Sequence, residues 1–424
     1  MIETTELRPS FREALRFWVR LGFISFGGPA GQIAILHKEV VERRKWMDEG
    51  RFTSGLAFCT FLPGPEAQQL ATYIGWSLHG TIGGLAAGIL FFLPAAAILL
   101  VLSFIRAEFG SVPFVSAILY GLRPVVVAVI FDAVLRMAGK RIATRGAVVV
   151  AVLAFVAAFL LRTPFPWIVV GAAIAGLALS SFRPTLARDS TPGARLSLKT
   201  EAVRISAVLA TGLSLWAVPW AILMSFGDAV PLFQKQYLFF TQAALVTFGG
   251  AYAVLGYVTQ AAVEQFHWLS RSEVIDGLAL AETTPGPLII VLQYVGFLAG
   301  WNDPQGLSRG LSGTIGAFVT TYATFLPSLV LVFLGAPYVD RMTSLPRLAS
   351  ALGAIGAAVT GVIVSLGLDY GISVVLPADR TASPDLFALL TLIAAFVALR
   401  KGQGFGLVLF AGGTAGSLYQ FLQR

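Results

Sequence analysis

Two short stretches set residues that do chemistry beside residues that break helices. "FLPGPEAQQL" (61–70) carries Pro63-Gly64-Pro65 followed by Glu66, and "AETTPGPLII" (281–290) carries Glu282, Thr283 and Thr284 ahead of Pro285-Gly286-Pro287. Proline lacks the N–H that continues a helix, and glycine accepts a turn with positive φ. Each motif therefore predicts a helix that stops, turns and restarts. A half-helix that begins at such a tip presents free N–H groups and a partial positive charge of about +0.5. The segments after Gly28, Pro65, Gly250 and Pro287 offer four such ends, and Arg123 adds a full charge near the middle of an apolar run. Fixed donors with one guanidinium suit a tetrahedral oxyanion. Gln68, Gln69, Thr283 and Thr284 supply neutral hydrogen bonds near the tips. Glu66 and Glu282 would repel an anion, but either could carry a coupled proton. Plainer roles stand beside these: a cap or tip hydrogen bond for each Glu, an ion pair with Asp132 or Glu66 for Arg123, and simple kinks for the turns.

Other chemistry finds little support. The one cysteine, Cys59, excludes an intrachain disulfide or a cysteine-based metal cluster, and His37, His79 and His267 are too scattered for a metal site. No metal and no cofactor is expected. An intramembrane enzyme would need a nucleophile–base pair or two opposed aspartates, and Asp132 is the only Asp well inside a predicted span. The chain is not expected to be an enzyme.

The elements that position these residues are membrane helices. Of 424 residues, 56% are hydrophobic and only 12% charged, and the mean hydropathy is +0.79. A soluble domain carries roughly 25% charged residues. The apolar runs are long enough to cross about 30 Å of hydrocarbon, which favours helices over a barrel. Interrupted segments cover 13–37, with "FGGPAG" at the centre, and 52–78, with the first Pro-Gly-Pro at the centre. Unbroken spans follow at 80–105, 112–135, 146–161 and 164–182, then a polar linker at 182–204 and a span at 205–226. The first residues lack the basic, apolar and small-residue pattern of a removable signal.

The order then repeats. "FGG" at 26–28, Trp46 and Pro-Gly-Pro at 63–65 return at 248–250, Trp268 and 285–287, each 222 residues later. Beyond an insertion near 301–312, "GTIGG" at 80–84 matches "GTIGA" at 313–317, and "FLP" at 92–94 matches 325–327, both at an offset of 233. The expected fold is an all-α polytopic membrane protein made of two inverted-topology repeats, each with broken, re-entrant hairpins followed by transmembrane helices. Residues 1–182 form the first repeat, 183–229 a cytoplasmic linker with one unduplicated helix, and 230–424 the second repeat.

Basic residues in short loops orient such a chain. Loop 38–51 carries five (Lys38, Arg43, Arg44, Lys45, Arg51), whereas its counterpart 260–273 carries only Arg271. Together with loop 136–145 and the linker, they put the N-terminus in the cytoplasm and turn the second copy over. The net charge of +8 is spread over several short loops, as orientation requires, and is not a nucleic-acid patch.

"FGGPAGQIA", "FLPGPEAQQLATYIG" and "LAETTPGPLIIVLQYVGFLAG" resemble the signature blocks of the chromate ion transporter family in its long, two-domain form. The resemblance covers both halves. It implies a secondary transporter of the cytoplasmic membrane that exports chromate, a structural mimic of sulfate, and confers chromate resistance. Carried over residue by residue, the signature falls on Gly27, Gly28 and Pro29, on Pro63 to Pro65 with Gln69, and on Glu282 to Pro287. The candidate oxyanion site thus joins Gly27, Gly28, Pro29, Pro63, Gly64, Pro65, Gln69, Arg123, Gly249, Gly250, Thr283, Thr284, Pro285, Gly286 and Pro287, with Glu66 and Glu282 as proton carriers. The expected partners are chromate or a sulfate-like oxyanion and the lipid bilayer, with no nucleic acid; a homodimer is left open. Transport of sulfate or another oxyanion is the alternative, and an anion channel would leave the paired hairpins without a role.

Overall fold

The structure is a computed structural model that describes residues 9–26, 28–142, 144–178, 198–248, 250–339, 346–376 and 383–423. Among the described residues every regular element is helical. The first half runs α1 (Phe11–Ile24), α2 (Gly28–His37), a π-helical turn (Lys38–Arg43), α3 (Glu49–Phe61), α4 (Glu66–Phe109), α5 (Pro113–Arg141), α6 (Arg145–Phe159) and α7 (Phe165–Ala178). After α8 (Leu198–Ser225) come α9 (Pro231–Leu245), α10 (Ala251–Gln260), a second π-helical turn (Ala261–Gln265), α11 (Arg271–Thr283), α12 (Val291–Asn302), α13 (Arg309–Gly335), α14 (Pro346–Val375), α15 (Leu386–Arg400) and α16 (Phe405–Leu422). Six helices are long and apolar enough to cross a membrane, and four shorter apolar ones accompany them. Leucine, isoleucine and phenylalanine side chains such as Leu153, Ile174, Leu213 and Phe410 lie exposed on the outside. In water such a belt would aggregate; in lipid it is the expected surface.

The predicted linker is shorter than its composition suggests. Helix α8 starts at Leu198 and takes in Lys199, Glu201 and Arg204 as polar first turns. The stretch 179–197 lies outside the described residues, as do Gly27, Gly249 and Arg341.

Backbone geometry recurs at the sequence offset. Gly28, Lys45 and Gly64 have φ of 68°, 53° and 132°, and the residues 222 later, Gly250, His267 and Gly286, have 106°, 52° and 101°. Each Pro-Gly-Pro ends a short helix and starts another, so the chain goes in and comes back. Arg51 Nη2 donates to Ser77 Oγ at 2.9 Å, which ties the start of α3 to the far end of the returning segment. In the second half Asn302 Nδ2 donates to the Trp268 carbonyl at 3.1 Å and ties the same two ends. Helix α4 cannot run straight, since 44 residues would span about 66 Å at 1.5 Å per residue. His79 and Gly80 leave helical geometry, and the two arms fold back on each other.

Glycine sets that contact. A Cβ on Gly75 would sit 2.3 Å from the Gly83 carbonyl, and one on Gly88 would sit 2.4 Å from Thr72 Oγ1. The glycine-dense stretches at 83–88 and 353–361 thus bring helices into close packing. A Cβ on Gly361 would lie 2.0 Å from the Ala151 carbonyl, whereas Gly171 faces open space. Gly361→Ala is expected to cost about 1–3 kcal/mol by forcing α14 from α6. Gly171→Ala, which only removes a helix-interior glycine, should be neutral or stabilising by up to about 1 kcal/mol. Thermal unfolding of the two variants in detergent reads the difference, and equal melting shifts would refute the packing account.

Packing does not follow the duplication. Helices α6 and α7 of the first half lie on α14 of the second, and α15 and α16 of the second lie on α5 of the first. Those six helices form one body. Helices α1–α4, α8–α10 and α11–α13 form the other, and the two meet chiefly where α10 crosses α14 and α11 crosses α5.

Candidate functional site

The turns of each half are held by the other half. The Gly64 N–H donates to the Thr247 carbonyl at 2.7 Å, and the Gly286 N–H donates to the Ser25 carbonyl at 2.8 Å. Thr247 and Ser25 are themselves 222 residues apart, so one bond is the image of the other. Both acceptors lie at the break between two half-helices, with their hydroxyls turned back onto the Ala243 and Leu21 carbonyls. Each Pro-Gly-Pro tip is thereby docked against the Gly-Gly break of the opposite copy.

Side chains then distinguish the two tips. At the second, Gln32 Nε2 donates to the Gly286 carbonyl at 2.5 Å and to the Ser25 carbonyl at 3.3 Å. At the first, Gln69 Nε2 donates to the Pro63 carbonyl at 2.8 Å, while Ser328 donates to Gln68 Oε1 at 3.1 Å. Gln69 is buried and its Oε1 has no partner among the described residues. Thr283 and Thr284 donate to the Leu280 and Ala281 carbonyls, which finishes α11 before the turn. Pro29 enters the first turn of α2, where a missing N–H costs nothing. A Cβ on Gly28 or on Gly250 would meet no atom within 4 Å, so open space adjoins the start of both α2 and α10.

The charged candidates fall elsewhere. Arg123 pairs with neither Asp132 nor Glu66. Its Nε and Nη2 donate to Asp276 Oδ1 and Oδ2 at 2.7 and 3.1 Å, and Arg106 Nε donates to Asp276 Oδ2 at 2.9 Å. Asp276 is fully buried on α11, while the Arg123 side chain stays 29% exposed and lines a cavity of about 650 Å³ with Tyr120, Ser270, Ser272 and Ser373. Asp132 is taken by Arg136 and Arg400. Glu66 receives Arg141 Nη2 at 3.3 Å, an ion pair where a plain N-terminal cap was the simpler expectation. Gly356, at the position equivalent to Arg123, has the Arg141 side chain 3.3 Å from where its Cβ would be. The two copies therefore use the same frame for different charges.

Glu282 lies beside its tip, buried, and accepts the hydroxyl proton of Tyr252 from the first turn of α10. It lines a groove of about 940 Å³ with Thr283, Phe26 and Leu122, while Phe114 and Phe410 stand on its open side. His37 bonds Glu42 and Glu49, and exposed His267 bonds the Val263 carbonyl; both sit at helix ends away from the tips. The described residues among those predicted thus occupy three places: tip one with break two, tip two with break one, and Arg123 at the cavity; Glu66 beside tip one pairs with Arg141, 18 residues along α5 from Arg123. Among the described residues no group of His, Cys, Asp and Glu could hold a metal ion.

Asp276 is the residue that sequence reasoning misses. It sits in "RSEVIDGLALAET", a short helix too polar to read as a span, so an Asp there looks like surface.

Comparison with known proteins bears on this geometry. A family model described as chromate transporter matches residues 12–177 and 235–417. A chromate transport protein of Pseudomonas aeruginosa is 31% identical over 86% of this chain and 83% of its own length. One from Cupriavidus metallidurans is 26% identical over 92% and 88%, and an uncharacterized transporter of Methanocaldococcus jannaschii is 27% identical over 93% and 90%. No solved structure matches.

Proposed function

The chain belongs to the chromate transporter family, and from that premise we propose that it exports chromate across the cytoplasmic membrane and thereby confers chromate resistance. It is a multi-pass membrane protein. In our reading its N-terminus is cytoplasmic, its two copies are inserted in opposite orientations, and the proton motive force drives it. The observation that carries the reading is the bidentate-capable Arg123, next to Arg106 and half-open to the 650 Å³ cavity. A guanidinium fork of that kind matches two oxygens of a tetrahedral oxyanion.

The tips would add donors along the path rather than beside Arg123. The N-termini that follow Gly28 and Pro29, Gly250, Pro65 and Pro287 would give fixed donors, with Gln69, Thr283 and Thr284 alongside; Gly27 and Gly249 precede two of them in sequence. Inverted repeats with broken helices that meet near mid-membrane are a recurrent transporter pattern, and the tip-to-break bonds support it here. The body of helical hairpins would rock against the body of α5–α7 and α14–α16. Three ion pairs bridge the two bodies: Arg123–Asp276 and Arg141–Glu66, both anchored on α5, and Arg271–Asp369 between α11 and α14. The two on α5 are 18 residues apart on it, about 27 Å at 1.5 Å per residue. Contacts so placed can open one at a time.

The test is radiolabelled chromate flux into inside-out vesicles containing the purified protein, with imposed pH or voltage gradients and sulfate as competitor. Gradient-dependent accumulation that falls with sulfate supports the reading; no flux of chromate in folded protein removes it, and sulfate and other oxyanions are then tried as cargo. Glu282→Gln keeps the shape and the Tyr252 contact but not the exchangeable proton. It should weaken the dependence of flux on the pH gradient while leaving voltage-driven flux within about threefold, a change under 1 kcal/mol. Glu66→Gln is the matched comparison, and the variant that keeps full pH-gradient dependence is not the proton carrier.

A further inference from the structure

Asp276 is a carboxylate with no access to water of its own, held by two arginines of which one looks into a cavity. Its two oxygens take three N–H bonds, at 2.7 and 3.1 Å from Arg123 and 2.9 Å from Arg106. Removing both ions from water costs several kcal/mol each, so a buried group of this kind is poor value as a structural clamp. Two guanidiniums around one carboxylate also leave one positive charge uncompensated. Close by, the ring of Tyr294 lies against Gly277. Its hydroxyl is buried and has no partner among the described residues, so the cluster holds an unused donor as well as an unmatched charge.

The ionisable groups around this cluster are Arg106 from α4, Arg123 from α5, Tyr294 from α12 and Glu273 from the same helix as Asp276. At the cavity rim Tyr120 bonds Asp385, and Arg271 is engaged by Glu264 and Asp369. None of these rim groups competes for Arg123.

We propose that Asp276 is a built-in stand-in for the transported oxyanion: it fills the Arg106–Arg123 fork when the site is empty, and the arriving oxyanion displaces it as it takes up one proton. This rests on the reading of the chain as an oxyanion transporter. A carboxylate and a tetrahedral oxyanion present the same pair of oxygens to a guanidinium, so one can replace the other without rebuilding the fork. The proton comes from water in the cavity, goes to the carboxyl oxygen that the arginines release, and returns to water when the oxyanion leaves. The charges balance. The empty fork carries two positive charges and one negative, while the loaded fork carries two positive charges, a dianion and a neutral acid. The Tyr294 hydroxyl is then available to donate to the bound dianion or to the acid. Since binding takes up a proton, apparent affinity rises as pH falls.

The experiment is equilibrium binding of radiolabelled chromate to the purified protein across the neutral pH range, with wild type beside Asp276→Asn and Asp276→Glu. Chromate's own protonation is common to all three, so differences between them isolate the carboxylate. Wild type should gain up to about tenfold in affinity per pH unit relative to Asp276→Asn, the limit for one linked proton. Asp276→Asn should bind as tightly as wild type at its most acidic point and lose the added pH slope, and Asp276→Glu should restore it. If Asp276→Asn proves unstable, Arg106→Gln with Asp276→Asn keeps Arg123 and the charge balance, and should also lose the slope. A shared pH profile in folded wild type and variant overturns the role of Asp276. Failure of wild type to bind chromate, sulfate or other tetrahedral oxyanions overturns the functional reading beneath it.

Discussion

Gly286→Ala is expected to abolish the proposed chromate flux and to lower the melting temperature, while Gly64→Ala should do less of both. The two glycines look equivalent in sequence, yet their surroundings are not. Both have positive φ, 101° and 132°, and an alanine held there costs about 1–2 kcal/mol. At Gly286 the new Cβ would stand 2.8 Å from Ala95 Cβ on α4, which has no rotamer to change. At Gly64 it would meet Gln69 Nε2 at 2.6 Å and Ser328 Oγ at 2.9 Å, groups that can swing aside. Overpacking against a rigid neighbour adds about 1–3 kcal/mol, and loss of the Gly286–Ser25 hydrogen bond adds about 1 kcal/mol. A total of about 3–6 kcal/mol is a large share of the about 5–15 kcal/mol that holds a folded domain together. The variant that separates misfolding from a lost site is Gly286→Ala with Ala95→Gly, which removes the clash and leaves the strained φ. Part of the melting temperature should return. Flux and stability in that pair tell whether the tip is a scaffold or a ligand surface, and equal losses in Gly64→Ala and Gly286→Ala would refute the argument from Ala95.

Much of the architecture is legible in the chain because its signals are local. Pro63-Gly64-Pro65 and Pro285-Gly286-Pro287 stop helices wherever they occur, and the constant offset of 222 survives in the backbone angles of Gly64 and Gly286. The 11-residue insertion is legible too, as the place where a turn at His79–Gly80 becomes the loop between α12 and α13. What stays hidden is long-range. That Gly64 bonds Thr247, and that Arg123 finds Asp276 rather than Asp132 nine residues along its own helix, follows from how α11 lies across α5. No periodicity along either segment encodes it. Asp276 is buried by neighbours from α4, α5 and α12 and not by the hydropathy of α11, so its surroundings overrule its sequence context. The division into two packed bodies is hidden for a similar reason: the sequence repeat runs along the chain, while α5 and α14 exchange partners between the two halves.

Arg123→Lys should weaken chromate binding and slow flux by about 10- to 100-fold with little change in stability. A lysine keeps the charge but offers a point donor in place of the planar fork, and losing one charge-assisted hydrogen bond costs about 1.5–3 kcal/mol. Stability is protected because Arg106 still holds Asp276 Oδ2, so the buried carboxylate is not left alone. Arg106→Lys gives the opposite balance. Arg106 is the more enclosed of the pair, 17% exposed against 29% for Arg123, and Arg106 is not among the residues that line the cavity. Its replacement should show first in the melting temperature and only then in affinity. A purely structural triad would make the two variants alike, with stability and flux falling together. An oxyanion ligand at Arg123 separates them, because only there does the guanidinium face both the buried carboxylate and the space from which an anion arrives. Unchanged affinity and flux in folded Arg123→Lys would remove Arg123 from the site, and with it the reason for a carboxylate to wait in its grasp.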